Sequence, residues 1–114
     1  MYEDFHIRDR WTGQEVHVEC KAVIAAIATR HADAIDVKFM VGNRAVWVAL
    51  PHVAWVEYEK RTGNIITDAL AKEMAGHYLK DAMENGLDSG REIATLTVEE
   101  ALGHLKAVLE ELAA

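Results

Sequence analysis

Residues 34–50 read AIDVKFMV, then GNR, then AVWVAL, and this stretch decides the fold. Apolar residues alternate with other residues in both arms, and Gly42-Asn43 lies between the arms, which is a strong short-range signal for a β-hairpin. If Val41 pairs with Arg44, the large aliphatic and phenyl side chains of both arms fall on one face. A slip of one residue would move them all to the other face, so the register is well specified.

The opposite face of this hairpin is less polar than a solvated sheet face. It carries Asp36, Lys38 and Met40 on one arm, opposite Ala49, Trp47 and Ala45 on the other. Single domains normally cover such a patch themselves, either with the segment after Pro51 or with the C-terminal helix. An open patch would instead favour self-association, most often as a symmetric dimer. The sequence leaves these two alternatives open.

A second hairpin is predicted over residues 3–20. Apolar and polar side chains alternate in both arms, and a four-residue turn with glycine at its end can join them. With Asp9 paired to Gln14 across that turn, His6 lies directly opposite His17.

Two further segments are assigned to helices. Residues 21–31 lie between the hairpins, and their apolar residues have helical spacing with several alanines, although the β-branched residues among them also suit a strand. Residues 51–62 alternate like a strand, but Pro51 suits the first position of a helix and Gly63 suits its C-cap. We therefore predict a helix in both segments.

The remainder of the chain predicts two longer helices. Thr67 or Asp68 can cap the first of them, which ends at Gly86. Thr97 and Glu100 have the spacing of a capping box at the start of the second. A loop with a short strand is expected between these two helices.

The order of elements is hairpin, helix, hairpin and then two or three helices. This order predicts an α+β fold in one domain over residues 1–114. We expect a mostly antiparallel sheet of two β-hairpins, at about 3–20 and 34–50, with an intervening helix and two or three C-terminal helices packed on the sheet. The chain length suits a single domain.

The charge balance limits the classes of partner. The chain has 12 basic and 19 acidic side chains and a formal net charge of −7, and residues 68–114 contain four basic and ten acidic groups. Nucleic acids and anionic membranes are bound by clustered Lys and Arg, so we expect neither as a partner. No apolar run is long enough to span a membrane and no targeting segment is recognisable at the N-terminus; we therefore expect a cytoplasmic protein.

Few residues are candidates for chemistry. The one cysteine, Cys20, excludes an intramolecular disulfide and a multi-thiolate metal site within one chain, and we interpret it as a buried thiol where a strand gives way to a helix. His6 and His17 are the candidates for a metal site, with Asp4 and Glu19 next along the same face as oxygen ligands. No motif supports this cluster, and constellations without a motif are mostly structural. We therefore predict no metal, no cofactor and no catalytic residue.

The sequence favours a small intracellular protein that acts by binding: a non-catalytic protein–protein interaction module that forms a homodimer or binds another protein. The predicted interface residues are Lys38, Met40 and Trp47 on the outer hairpin face and Trp11 at the tip of the first hairpin. Trp11 follows Arg10, and Trp and Arg are enriched among binding hot spots. The alternative is a small-molecule or metal-dependent enzyme with a His-lined pocket between sheet and helices. Phosphate-binding loops, H-E-x-x-H and G-x-S-x-G are absent from the sequence, which argues against those particular families.

Overall fold

The computed structural model describes residues 1–10, 13–26, 34–86 and 92–113. The elements are strands β1 (Asp4–Arg8), β2 (Glu15–Ala26), β3 (Ala34–Val41), β4 (Arg44–Pro51) and β5 (Ile93–Thr95), and helices α1 (Val53–Thr62), α2 (Asp68–Asn85) and α3 (Val98–Ala113). The strands lie in the sheet in the order in which they occur in the sequence. Strands β1 to β4 form an antiparallel meander, and β5 lies parallel to β4 at one edge. The predicted α+β class, with three helices after the second hairpin, is confirmed.

Both hairpins have the predicted register. Val41 pairs with Arg44 in the second hairpin, and Gly42 in its turn has a φ of 62°, a value that a residue without a Cβ adopts at no steric cost. In the first hairpin, His6 lies directly opposite His17. Alternation together with turn chemistry was therefore sufficient to align these strands.

One predicted helix is wrong. The helix expected over residues 21–31 is absent from residues 21–26, where strand β2 continues to Ala26 and pairs with β3. Residues 27–31 lie outside the described residues. The β-branched residues of this segment follow their preference for strands, which outweighs the spacing of the alanines.

A β-bulge explains why the second half of β2 resembles a helix in the sequence. The register with β3 shifts between Cys20 and Ala22, and one extra residue moves the inward-facing positions from even to odd numbers. Cys20 lies opposite Phe39, whereas beyond the bulge Val23 lies opposite Val37. The period of two is thus interrupted once, and the apolar residues on either side of the bulge come to lie three apart.

The three helices pack on one face of the sheet, which we call the inner face. Val37, Val48 and Leu50 of the sheet are fully buried in one cluster with Met74 of α2 and Leu105 of α3. Each large aliphatic side chain buried in this way contributes about 1.5–3 kcal/mol. The described residues measure 41 × 39 × 21 Å, and the smallest dimension fits one sheet and one layer of helices.

Capping signals mark the C-terminal end of α1, both ends of α2 and the start of α3. A helix follows Pro51, as predicted, and Gly63 ends it with a left-handed φ of 74°. The predicted start is wrong: Pro51 is the last residue of β4, paired with Ala34, and the helix begins at Val53. At the start of α2, Thr67 Oγ1 accepts a hydrogen bond from the Leu70 N–H at 3.2 Å. The capping box at the start of α3 is formed as predicted.

The chain before β1 crosses α2 at a glycine. The backbone carbonyl of Tyr2 lies directly on Gly76, and a Cβ at this position would clash with it. The Tyr2 N–H donates a hydrogen bond to Glu73 Oε2 at 3.0 Å, and the Tyr2 ring meets the ring of His77 edge to face. Gly76 therefore allows the N-terminal segment to lie against the helical layer.

Candidate functional site

The outer face of the sheet has no helix of the described chain packed on it. The core cluster joins buried residues of all three helices to the inner face, so neither α1 nor α3 covers the outer face. Two large apolar side chains are exposed there: Ile24 on β2 at 46% and Ile93 on β5 at 59%. The residues that form the outer face over β2 to β5 include Glu19, Ala22, Ile24, Asp36, Lys38, Met40, Ala45, Trp47, Ala49, Ile93 and Thr95.

Trp47 lies on the outer face of β4, one strand in from the β5 edge. In the register it lies between Lys38 on β3 and Ile93 on β5. Lys38 Nζ is 5.7 Å from the centroid of the indole ring, which is within cation–π distance. Three of the predicted interface residues, Lys38, Met40 and Trp47, thus share this face and are half-buried. The fourth, Trp11, lies outside the described residues.

A cluster of titratable side chains lies on the same face where β1 pairs with β2. It consists of Asp4 and His6 on β1 and His17 and Glu19 on β2, and we call it the edge cluster. The imidazoles of His6 and His17 stack with 4.6 Å between centroids and 17° between planes. His17 Nε2 is 2.6 Å from Asp4 Oδ1, and Lys21 Nζ is 3.1 Å from Glu19 Oε1. The structure brings together the four residues that the sequence predicted to share a face.

Three members of the edge cluster have donor atoms close enough to contact one ion. One ligand atom from each of Asp4, His17 and Glu19 lies within 4.8 Å of the other two. An imidazole nitrogen with carboxylate oxygens is a donor set that zinc and similar transition metals accept. Asp4 and His17 are exposed and Glu19 is half-buried, so an ion could reach these atoms from solvent.

A second pair of histidines joins α2 to α3. His77 Nδ1 and His104 Nδ1 are 2.7 Å apart, so one nitrogen donates a hydrogen bond and the other accepts it. Tyr2 packs edge to face on His77 and Tyr78 on His104, with centroid distances of 5.1 and 5.5 Å. Burial lowers the pKa of His104, and the neighbouring His77 lowers it further. The folded state therefore favours the neutral imidazole at His104.

Sequence reasoning missed this helical pair. His77 and His104 are 27 residues apart and lie on different helices, and no spacing rule relates such residues. The one available signal is local: His104 follows Ala101 by about one turn and directly precedes Leu105, and both of these neighbours are buried.

A small polar cavity lies beside the helical pair. It has a volume of about 180 Å³ and is lined by Tyr2, His77, Lys80, Asp81, Glu84 and Glu111. The Tyr2 hydroxyl donates a hydrogen bond to Glu111 Oε2 at 2.5 Å. This bond and then burial raise the pKa of Tyr2 to about 12, so the phenol is protonated near neutral pH.

A larger, apolar groove lies between α1 and α3. Its volume is about 460 Å³, and its apolar lining residues include Tyr58, Leu102, Leu105 and Leu109. This groove is separate from the outer face, because both helices pack on the inner face.

Cys20 does not lie where a strand gives way to a helix, and that part of its interpretation is wrong because β2 continues past it. The thiol is half-buried, and its Sγ is 4.0 Å from the carbonyl oxygen of Ala22. Burial raises the pKa of the Cys20 thiol, with Lys72 as a smaller opposing influence. A raised pKa disfavours the thiolate and hence nucleophilic chemistry.

Comparison with protein-family models, with curated proteins and with solved structures finds no match. Among the described residues, no helix is both long and apolar enough to cross a membrane. Function is therefore inferred from the surfaces and clusters above.

Proposed function

We propose that this protein is a non-catalytic protein–protein interaction module that self-associates as a homodimer through the outer face of its sheet. The observation that carries the proposal is the exposed apolar surface of this face, on which no described helix packs. Trp47 lies beside the exposed Ile93, Met40 lies beside Ala45, and the exposed Ile24 lies on β2. Exposed apolar patches of this kind mark interaction sites.

The size of the outer face supports a dimer interface. Strands β2, β3, β4 and β5 have 12, 8, 8 and 3 residues. At about 3.3 Å per residue and a strand spacing of about 4.8 Å, they present a projected area of roughly 500 Å². The relief of the side chains raises the accessible area toward the roughly 800 Å² per partner that stable interfaces bury.

The charges of the central strand favour a second copy of this chain as the occupant. Asp36 and Lys38 are two residues apart on β3, the middle strand of the five, and share the outer face. A two-fold axis that lies in the interface over Val37 and runs across β3 would place Lys38 of each copy opposite Asp36 of the other. Such a contact pairs both charges while it covers the flanking apolar side chains, so no charge is buried alone.

Sedimentation equilibrium of the full chain at micromolar concentrations tests the proposal. We expect twice the chain mass of 12.7 kDa for the wild type and the monomer mass for Trp47→Ser and Met40→Lys. Ile65→Lys is the matched control, because Ile65 is 65% exposed but lies outside the outer face, and it should remain dimeric.

Two results would contradict a homodimer formed through the outer face. A wild-type monomer over the whole micromolar range would leave the outer face to a different protein. A dimer that survives both substitutions on the outer face would place the contact elsewhere, with the groove between α1 and α3 as the next surface to substitute.

The enzyme alternative has less support from the geometry. The observation in its favour is the hydrogen bond between His77 and His104, which poises one imidazole as donor and one as acceptor. The adjoining cavity of about 180 Å³ is smaller than the pockets of roughly 300–1,000 Å³ that hold small-molecule ligands. It also lies among α2, α3 and the N-terminal segment, whereas the predicted pocket was between sheet and helices. A cavity of about 430 Å³ does lie between β1 and α2, but His6 is the one histidine among its lining residues.

A further inference from the structure

We propose that Asp4, His17 and Glu19 of the edge cluster bind one divalent transition metal ion of the zinc class, with His6 as the neighbouring fourth donor. The distances carry the proposal, since one ligand atom of each of the first three residues lies within 4.8 Å of the others. Among the described residues, no other group of three His, Cys, Asp or Glu side chains meets that distance.

Backbone pairing holds these donors in position. Asp4 lies directly opposite Glu19, and His6 directly opposite His17, so all four side chains leave the same face of the β1–β2 pair. The Cys20 N–H donates to a carbonyl oxygen of the N-terminal segment at 2.7 Å, which extends the pairing beyond the end of β1. Strand β2 is also bonded to β3 on its other side. The backbone positions of the donors are therefore fixed before an ion arrives, which lowers the entropic cost of binding.

The charge arrangement favours a cation between the strands. Asp4 and Glu19 are carboxylates directly opposite each other, and like charges in such a pair are destabilising. In the structure, His17 lies 2.6 Å from Asp4 and Lys21 lies 3.1 Å from Glu19, so each carboxylate has its own neighbour. A divalent ion bound to both carboxylates would compensate them together, and the His17 nitrogen would bind the ion in place of its contact with Asp4.

The required movement is small. Zinc binds imidazole nitrogen at about 2.0–2.1 Å and carboxylate oxygen at about 2.0–2.2 Å, so ligand atoms around a tetrahedral ion lie roughly 3.4 Å apart. His17 Nε2 and Asp4 Oδ1 must separate from 2.6 Å, while the more distant pairs close from at most 4.8 Å. These side chains are exposed or half-buried, so rotation about their own bonds achieves this without a change in the core.

His6 completes the site. Its ring is stacked on that of His17 at 4.6 Å, so a rotation of the His6 side chain brings a second imidazole nitrogen to the ion. Imidazole nitrogen is a common ligand of zinc-class ions.

The test is calorimetric titration of the metal-free full chain with zinc chloride. We expect one ion per chain, and at least a tenfold loss of affinity for His17→Ala and for Asp4→Asn. His52→Ala is the matched control: His52 is exposed, and as the N-cap of α1 it makes no side-chain capping hydrogen bond, so its removal should leave zinc affinity unchanged. Circular dichroism of each variant verifies that the fold is retained.

Cobalt(II) provides an independent readout of the coordination. A tetrahedral site gives strong visible absorption on addition of cobalt chloride, and His6→Ala should weaken or shift that absorption by replacing an imidazole with water. Failure of the wild type to bind zinc, unchanged affinity in His17→Ala, or loss of binding in His104→Asn but not in His17→Ala would each overturn the proposal. A stoichiometry of half an ion per chain would likewise overturn a site formed within one chain.

Discussion

The Nδ1 atoms of His77 on α2 and His104 on α3 lie 2.7 Å apart, and at most one of the two facing nitrogens carries a proton. Burial, and then the neighbouring His77, lowers the pKa of His104 below its ordinary value of 6.5. The folded state therefore binds fewer protons at this site than the unfolded state at pH values between the lowered pKa and 6.5. The resulting stabilisation is present above about pH 6.5 and is lost as the pH falls through the folded pKa.

His104→Asn should reduce this dependence of stability on pH. Asparagine places a non-titrating amide near the position of Nδ1, so it can keep a hydrogen bond to His77 without the proton uptake. We expect the free energy of unfolding, measured by urea denaturation in steps below pH 7, to fall less steeply in the variant than in the wild type. An equal slope in both proteins would show that His104 is not the group responsible.

The two helical glycines should respond in opposite directions to the same substitution. Gly76→Ala directs a methyl group into the backbone carbonyl of Tyr2, and overpacking of this kind costs about 1–3 kcal/mol. Gly103→Ala meets nothing within 4 Å and should stabilise α3 by about 0.5–1 kcal/mol, the cost of glycine in a helix interior. Urea denaturation measures both; stabilisation by Gly76→Ala would mean that the N-terminal segment does not lie on α2.

Glu111→Gln should lower the pKa of Tyr2 from about 12 toward 10. The hydrogen bond to Glu111 is the largest cause of the raised pKa, followed by burial and by the charge of the same carboxylate. Because the folded pKa exceeds the unfolded one, the stabilisation is complete below pH 10 and is lost as the pH rises through about 12. Ultraviolet absorbance titration measures the three tyrosines of the chain together, and the difference from Tyr2→Phe identifies the signal. A Tyr2 pKa unchanged by Glu111→Gln would rule out this carboxylate as the cause.

Thr97→Ala should destabilise the protein by about 1 kcal/mol, the usual cost of losing an N-cap side chain. Thr97 Oγ1 accepts a hydrogen bond from the Glu100 N–H at 3.1 Å, and Glu100 Oε1 accepts one from the Thr97 N–H at 2.9 Å. Thr97→Ser keeps the hydroxyl and should retain most of the stability in thermal unfolding. Equal losses for the alanine and serine variants would exclude the hydroxyl as the stabilising group.

Features that depend on neighbouring residues were predictable from the sequence. The turn at Gly42, the C-cap at Gly63 and the box at Thr97 each specify a boundary through local backbone geometry. The edge cluster was predictable for the same reason, since the short turn of the first hairpin fixes which residues oppose each other.

Features that depend on packing were not predictable in the same way. The bulge after Cys20 preserves the burial of Val23 against Val37, and nothing in the local sequence specifies where the extra residue is inserted. The contact of His77 with His104 depends on how α2 and α3 pack together, which a single sequence does not specify. Both are cases in which tertiary packing outweighs local pattern.

The pairing of β5 with β4 has a consequence for the order of folding. Short connections without a described helix join strands β1 to β4 to one another. The pairing of Trp47 on β4 with Ile93 on β5 instead spans two complete helices. Closing so long a loop has a larger entropic cost. We therefore expect β5 to join the sheet after the rate-limiting step. In stopped-flow measurements, Ala94→Gly should speed unfolding and leave the folding rate nearly unchanged, and a matching loss in the folding rate would instead place β5 in the folding nucleus.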